Sequence, residues 1–248
     1  MNKIILITGG SQGIGAATAR LAAKRNYTVC INYHKNDDAA NSVVKEIEND
    51  GGHAFAFKAD ISKEAEVLRL FKQIDHQIGR ISGLVNNAGI ILQQERFINM
   101  TEERLQKTFA TNVFGSFLCA REAIKRMSTK LGGAGGSIVN LSSIAARLGA
   151  PFEYIDYAAA KGAIDTMTIG LAKEIADENI RVNVVRPGLI HTDIHAKAGE
   201  PGRIERVKSL IPLKRGGQPE EVANMILWLL SDEASYVTGS IFDVTGGR

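Results

Sequence analysis

Seven short apolar runs punctuate the chain, at 4–7, 27–31, 54–57, 83–85, 137–141, 180–185 and 240–244. Each is apolar nearly throughout instead of alternating with polar residues, the pattern of strands covered on both faces. Between them, apolar positions take helical spacing at about 13–25, 38–50, 63–78, 101–130, 155–177 and 218–230. Several of these segments open with capping signals, such as Ser62 ahead of Glu64 and Thr101-Glu102-Glu103. There a short polar side chain can accept from a first-turn amide, and acids complement the positive helix end. Strand and helix alternating in this way predict an α/β fold, a doubly wound and mostly parallel seven-stranded sheet with helices on both faces. The run Gly132-Gly133-Ala134-Gly135-Gly136 leads into a strand and not a helix, so it reads as a surface connector and not a phosphate cradle.

Composition narrows the class. Of 248 residues, 44% are hydrophobic and 23% charged, an ordinary globular balance that excludes a disordered, collagen-like or coiled-coil chain. No Pro/Gly/Ser-rich linker divides the sequence, so residues 1–248 are expected to form one unit. Thirty Lys+Arg against 27 Asp+Glu leave +3, with the signs interleaved, which argues against a nucleic-acid partner. Cys30 and Cys119 sit among apolar neighbours and read as small buried hydrophobes, not as disulfide partners. No stretch approaches the ~18 apolar residues of a membrane span, and the N-terminus enters a strand pattern directly. A cytoplasmic, soluble protein without a membrane partner is the expectation.

Chemistry enters directly after the first strand, where Thr8-Gly9-Gly10-Ser11-Gln12-Gly13-Ile14-Gly15 runs straight into a helical segment. Glycines permit the sharp turn and let amides of the loop and the helix N-terminus approach a pyrophosphate. A bare strand-to-helix turn would also tolerate them, but a place at the head of an alternating chain favours dinucleotide binding in a Rossmann-type fold. The lack of Gly-Lys-Ser/Thr excludes a P-loop nucleotidase. At the tip of the second strand such folds place an acid on the adenosine 2′-hydroxyl. Here the tip reads Asn32-Tyr33-His34-Lys35, and Asp37 and Asp38 come late enough to start the next helix. A missing acid beside His34 and Lys35 leaves room for a 2′-phosphate, which favours NADP over NAD. Lys35 can equally be a solvated loop charge, and Gln12 adds no cation to the loop.

Tyr157 and Lys161 stand one helical turn apart on the same face. An adjacent ammonium favours the phenolate and so lowers a tyrosine pKa toward the range useful for acid-base work. Leu141-Ser142-Ser143 adds weight at the end of the fifth strand, because ligands bind at the carboxyl ends of parallel strands. Taken in order, Thr8-x6-Gly15, Asp60, Asn86-Asn87-Ala88-Gly89, Asn112, Ser142-Ser143, Tyr157-x-x-x-Lys161 and Pro187-Gly188 resemble the short-chain dehydrogenase/reductase family along the whole chain. Within it the sequence is most similar to classical bacterial reductases related to glucose 1-dehydrogenase and 3-oxoacyl-carrier-protein reductase.

The resemblance implies reversible hydride transfer between an NAD(P) cofactor and a small-molecule carbonyl or secondary alcohol. By that resemblance Tyr157 would exchange a proton with the substrate oxygen, and Lys161 would bind the nicotinamide ribose and depress the tyrosine pKa. Ser143 would polarise the carbonyl, and Asn112 would hold a relay water near Lys161. The segment from Ser143 to Tyr157 is one residue longer than the family's usual spacing, so Ser142 stays open as the alternative. For the cofactor the implied contacts are Gly9, Ser11, Gln12, Gly13, Ile14 and Gly15 in the loop, and Tyr33, His34 and Lys35 at the second strand tip. Asp60 and Ile61 would meet the adenine, and Asn87, Ala88 and Gly89 the adenosine ribose and phosphates. Pro187, Gly188, Ile190 and Thr192 would flank the nicotinamide beside Tyr157 and Lys161.

His191 and His195 have helical metal-pair spacing, but no third ligand joins them, so no metal is expected and both read as substrate-loop or surface residues. Trp228 lies on an apolar helix and reads as core or subunit interface. Substrate choice is expected in 191–211, a Gly- and Pro-containing segment read as a lid, and in 93–96 and 147–154. Their mixed polarity leaves a sugar, a steroid-like ring and an acyl thioester open. Residues 236–243 resemble the family's C-terminal assembly segment, which implies a homotetramer. Two rival readings are a non-catalytic dinucleotide sensor, which predicts a damaged Asn–Ser–Tyr–Lys set, and an S-adenosylmethionine methyltransferase, which has no role for Tyr157 or Lys161.

Overall fold

The first strand, β1 (Ile4–Ile7), carries its side chains alternately to two cores. Ile5 and Ile7 join one apolar cluster and Leu6 the other, all fully buried. The same division repeats at Val29 and Ile31 against Cys30 in β2 (Thr28–Tyr33), as the period of a strand requires. With β3 (His53–Lys58), β4 (Gly83–Asn86), β5 (Gly136–Leu141), β6 (Ile180–Pro187) and β7 (Ile241–Val244), these form one seven-stranded sheet in the order β3-β2-β1-β4-β5-β6-β7. Every pairing is parallel. The coordinates are a computed structural model describing residues 3–248, so the first two positions of the expected 1–248 unit lie outside the described residues.

One face is covered by α1 (Gly13–Lys24), α2 (Asp37–Asn49) and α10 (Pro219–Leu230), the other by α3 (Glu64–Gln77), α5 (Gly115–Met127) and α7 (Ile155–Glu174). Local chemistry sets several starts. Asn36 accepts from the Ala39 amide at 2.9 Å to open α2, Thr101 caps α4 (Glu102–Phe109), and Pro219 with a Gln218–Glu221 capping box opens α10. Ser62 does not cap α3. Its hydroxyl and amide both donate to Asp60, and Lys63 stands at the N-cap without a side-chain bond.

The segment 101–130 is not one helix. A π-helical stretch, Ala110–Phe114, separates α4 from α5, and α5 stops at Ser128. The Asn112 amide donates to the Thr108 carbonyl, a local competition with the helical ladder of the kind that accompanies such bulges. The glycine run at 132–136 carries the chain from there into β5, as a connector. Three short helices, α6 (Ala145–Leu148), α8 (Ile194–Lys197) and α9 (Arg203–Val207), form in segments read as loops. Cys30 and Cys119 are buried free thiols, and Trp228 packs edge-on against Phe242 with centroids 6.0 Å apart.

Chain order reverses direction between β1 and β4, which opens a crevice at the carboxyl edge of the sheet. Strands there run slightly beyond the apolar runs, β2 to Tyr33 and β6 to Pro187, and so deliver those residues to the crevice. No helix is long and apolar enough to cross a membrane among the described residues.

Candidate active site

At the switch point the loop after β1 and the loop after β4 are pinned together. The Thr8 hydroxyl accepts from the amides of Asn87 (3.0 Å) and Ala88 (3.1 Å), and the Asn87 amide group donates to the carbonyls of Thr8 and Gly9. The contact leaves no room for a side chain. Gly9 has φ +63°, and a Cβ there would lie 2.9 Å from Ala88 Cα; a Cβ at Gly15 would lie 2.5 Å from the Gly9 carbonyl oxygen. α1 starts at Gly13 with no side-chain cap and no acid in its first turn, so its positive end is uncompensated. This cradle, with bent glycine backbone and bare helix amides, fits a dinucleotide pyrophosphate.

A cleft of about 710 Å³ runs from that cradle across the sheet edge. Gly9, Ser11, Gln12, Gly13 and Ile14 line it, with Tyr33, His34, Lys35, Asp60, Ile61, Asn87, Ala88 and Gly89 at one end. Ser143, Tyr157, Lys161, Pro187, Gly188, Ile190 and Thr192 line the other. Gly15 and Asn112 lie behind the wall. Asn112 spends its side chain on backbone, donating to the carbonyls of Thr108 (2.8 Å) and Ile90 (3.0 Å) and accepting from the Ile90 amide. It still borders the site, because a Cβ at Gly89 would meet Asn112 Oδ1 at 2.7 Å and Lys161 Nζ at 3.5 Å.

Of the two serines, the geometry separates the candidates. The Ser142 hydroxyl is buried and donates to the Lys161 carbonyl at 2.9 Å. Ser143 Oγ accepts from the Ala145 amide at 3.1 Å and lines the cleft with Tyr157, whose phenolate it favours. Lys161 Nζ donates to the Leu141 carbonyl at 2.6 Å and stands 5.6 Å from the centroid of the Tyr157 ring. Spacing alone suggests that the ammonium lowers the phenol pKa. In the structure burial dominates both groups: Tyr157 is pushed up to about 12, with the Ser143 hydrogen bond pulling back, and Lys161 is pulled down to about 8 against the opposing charge of Asp165. The site is therefore a neutral phenol beside a weakened ammonium in a dry floor.

Sequence reasoning passes over the group that seats this floor. Asp156, directly before Tyr157, has a side chain only 1% exposed and pairs with Arg104 from α4 at 2.9 Å. The Thr108 hydroxyl also donates to it, at 3.0 Å. Thr108 in turn holds Asn112, so one buried network ties α4, the π-helical stretch and the start of α7. Removing one partner of such a pair costs about 3–5 kcal/mol.

At the adenosine end, Asp37 is the first residue of α2, and its carboxylate accepts from the Tyr33 hydroxyl and from Lys58. His34 and Lys35 are exposed on the rim. The strand tip therefore presents no carboxylate to the cleft. Asp60 accepts from the Ser62 amide and hydroxyl with His34 3.7 Å away; burial opposes its ionisation, but these partners outweigh it and hold the carboxyl below its usual range. Gln12 accepts from Lys197 of α8 at 2.6 Å, which brings to the glycine loop a cation that the loop's own sequence lacks. At the opposite end Glu153 and Glu200 pair with Arg203 and Arg206, joining the segment 191–211 to the loop before α7. Among the described residues no His/Cys/Asp/Glu group is arranged to hold a metal ion, and His191 and His195 have no such partners.

Comparison with known proteins agrees with this geometry. The family described as enoyl-(acyl carrier protein) reductase matches residues 9–248. The chain is 58% identical over 245 residues to the uncharacterized oxidoreductase YgfF of Escherichia coli (strain K12), covering 99% of each chain. It is 36% identical over 247 residues to the 3-oxoacyl-[acyl-carrier-protein] reductase FabG of Staphylococcus epidermidis, covering 100% of this chain and 99% of that one. The crystal structure of a short-chain type dehydrogenase/reductase from Mycobacterium marinum superposes with a TM-score of 0.92 at 33% identity, over 99% of this chain and 94% of that one.

Proposed function

We propose that this chain, which belongs to the short-chain dehydrogenase/reductase family, interconverts a carbonyl and a secondary alcohol with Tyr157 as general acid and base. The observation that carries the reading is the gathering of Tyr157, Ser143 and Lys161 on the wall of the glycine-loop cleft, with the Lys161 Nζ 5.6 Å from the Tyr157 ring centroid. When bound, the nicotinamide supplies or takes up the hydride at the substrate carbon. Tyr157 delivers the proton to the carbonyl oxygen, and a phenol kept neutral by burial is charged with that proton at neutral pH. Ser143 donates to the same oxygen and polarises it. Lys161, on the same helical face, stabilises the phenolate left behind and holds the cofactor ribose. Asn112 positions Gly89 and the Lys161 side of the floor.

Gly9, Ser11, Gln12, Gly13 and Ile14 would hold the pyrophosphate, with Gly15 giving the helix its close approach. Asp60, Ile61, Asn87, Ala88 and Gly89 would hold the adenosine part, and Pro187, Gly188, Ile190 and Thr192 the nicotinamide. NADP is the preferred cofactor: Tyr33, His34 and Lys35 face the cleft without an acid, and Lys197 stands on Gln12. The segment 191–211 serves as the lid. The protein works in the cytoplasm as a homotetramer; Phe114 and Phe117, exposed next to each other at the start of α5, support a covered helix face. Light scattering that gives a monomer mass would remove that assignment.

The test is oxidation of NADPH and NADH against ketones, hydroxy ketones, 3-oxoacyl thioesters and lactones, in the parent and in Tyr157→Phe. Turnover that is faster with NADPH and lost in the variant supports the reading. Tight dinucleotide binding without turnover on any substrate would shift it to a sensor.

A further inference from the structure

Two buried polar atoms at the substrate end of the cleft have no hydrogen-bond partner, Tyr154 Oη and His195 Nε2. Tyr154 is 3% exposed, precedes Tyr157 by one helical turn, and packs against it and Ala198 of the lid segment. The Gln94 amide lies beside its hydroxyl and donates to Glu200 at 2.6 Å. His195 comes from α8, and both residues line the cleft. They share a neighbour: the Arg203 guanidinium lies 4.7 Å from the Tyr154 ring centroid, and its charge reaches the His195 ring.

Leaving a buried donor or acceptor unpaired costs about 1–3 kcal/mol each, so two on the wall of one binding cleft, with Arg203 acting on both, call for a ligand group. Their protonation states define that group. Burial raises the Tyr154 pKa, against the pull of Arg203, so the hydroxyl stays a donor at neutral pH. Burial and Arg203 lower that of His195, so the imidazole is neutral at neutral pH and its unpaired Nε2 is free to accept a hydrogen bond.

The nearby cations offer no site for an anion. Arg203 and Arg206 are each bonded to both Glu153 and Glu200, two positive charges against two negative. A hydroxyl meets this demand at a single atom, accepting from a phenol and donating to an imidazole while carrying no charge. Leu148, Ala150, Val207 and Leu210 complete an apolar wall around it.

Resting on the carbonyl-reductase reading above, we propose that Tyr154 and His195 form a hydroxyl-recognition subsite, and that the substrates are uncharged α-hydroxy ketones and the matching vicinal diols. The hydroxyl is assigned to the carbon beside the reacting one because Tyr154 stands one helical turn before Tyr157 and shares its apolar cluster on the wall of the same cleft. A simple ketone fills the wall but leaves both polar atoms unpaired. A 3-oxoacyl thioester has no hydroxyl beside its reacting carbonyl to donate to His195.

The experiment measures kcat/KM for size-matched pairs, hydroxyacetone against butanone and acetoin against methyl isopropyl ketone, in the parent, Tyr154→Phe and His195→Leu. The parent is expected to prefer the hydroxy ketone by about tenfold or more, and each variant to reduce that ratio by about tenfold, the worth of one buried hydrogen bond. Tyr154→Phe keeps the ring under Arg203, so the ratio reports the hydroxyl and not the fold. Equal efficiencies in the parent, a ratio unmoved in both variants, or a 3-oxoacyl thioester used better than either hydroxy ketone would overturn the subsite, while turnover abolished by Tyr157→Phe would leave the hydride reading standing. No reaction with any ketone despite bound dinucleotide would remove both.

Discussion

Two clefts of nearly equal size among the described residues are built on different principles. The cleft at the carboxyl edge of the sheet measures about 710 Å³, and a second, of about 670 Å³, lies among Arg20, Lys24, Asn26, Asp50 and His53 near the ends of α1 and α2. In the second cleft the charges are exposed and paired, Arg20 with Glu46 at 2.6 Å and Lys24 with Asp50 at 3.5 Å. Gly51 there has φ +81° but faces open space, so it serves a turn. In the first cleft Gly9, Gly89 and Gly188 face protein at under 3 Å, the phenol and the ammonium are buried with shifted pKa values, and two polar atoms go unpaired. Volume does not separate the two. Desolvated groups and backbone bent for close approach do, and a parallel sheet gathers both at one edge.

The strongest way to break this comparison is at Tyr157. Replacing its hydroxyl in Tyr157→Phe is expected to lower kcat/KM by about a thousandfold, within the range of general acid-base catalysis. Dinucleotide affinity, read by fluorescence titration, is expected to stay within a few-fold. Loss of affinity together with rate would make the residue a structural prop of the floor.

That residue was legible in the sequence because its partner lies one helical turn away, and so was the glycine loop, contained between one strand and one helix. The seven apolar runs were legible for a related reason: strands covered on both faces need no partner to reveal them. What stayed hidden was long-range or depended on burial. Arg104 and Asp156 are 52 residues apart, and Lys197 and Gln12 185 apart, with no local pattern joining them. Spacing put an ammonium beside Tyr157 but not the dry floor that raises both partners' cost of charge. It likewise kept Ser142 open beside Ser143, whereas the structure shows the Ser142 hydroxyl donating to the Lys161 carbonyl.

The next largest effect separates the buried ammonium from the exposed ones. Lys161 has a folded pKa of about 8 against 10.5 for an unperturbed lysine. Below pH 8 the cost of burying the charge is present in full. Between about 8 and 10.5 the unfolded chain holds a proton that the folded one has shed, so stability rises with pH. Urea unfolding across that window is expected to show the parent gaining on the order of 3 kcal/mol relative to Lys161→Met, from about 2.5 units at 1.36 kcal/mol each. A flat difference would mean that the ammonium is solvated. Glycines give a matched pair of smaller size. Gly9→Ala and Gly51→Ala both place a Cβ at positive φ, at about 1–2 kcal/mol of stability each. Only Gly9→Ala also meets Ala88 Cα at 2.9 Å, so only it is expected to weaken NADPH binding, by tenfold or more. Equal affinities in the two variants would dissolve the distinction between a cradle glycine and a turn glycine.

The smallest expected effect is at the second cleft itself. Arg20 and Glu46 are 40% and 48% exposed, so water screens their pairing, and an ion pair of this kind contributes about 0–1 kcal/mol. Arg20→Gln is therefore expected to move the unfolding midpoint barely, and to leave kcat/KM and NADPH affinity unchanged. A fall in either kinetic quantity would show that a cleft of paired, hydrated charges reaches the chemistry across the sheet. The contrast between the two clefts would then have to rest on something other than desolvation.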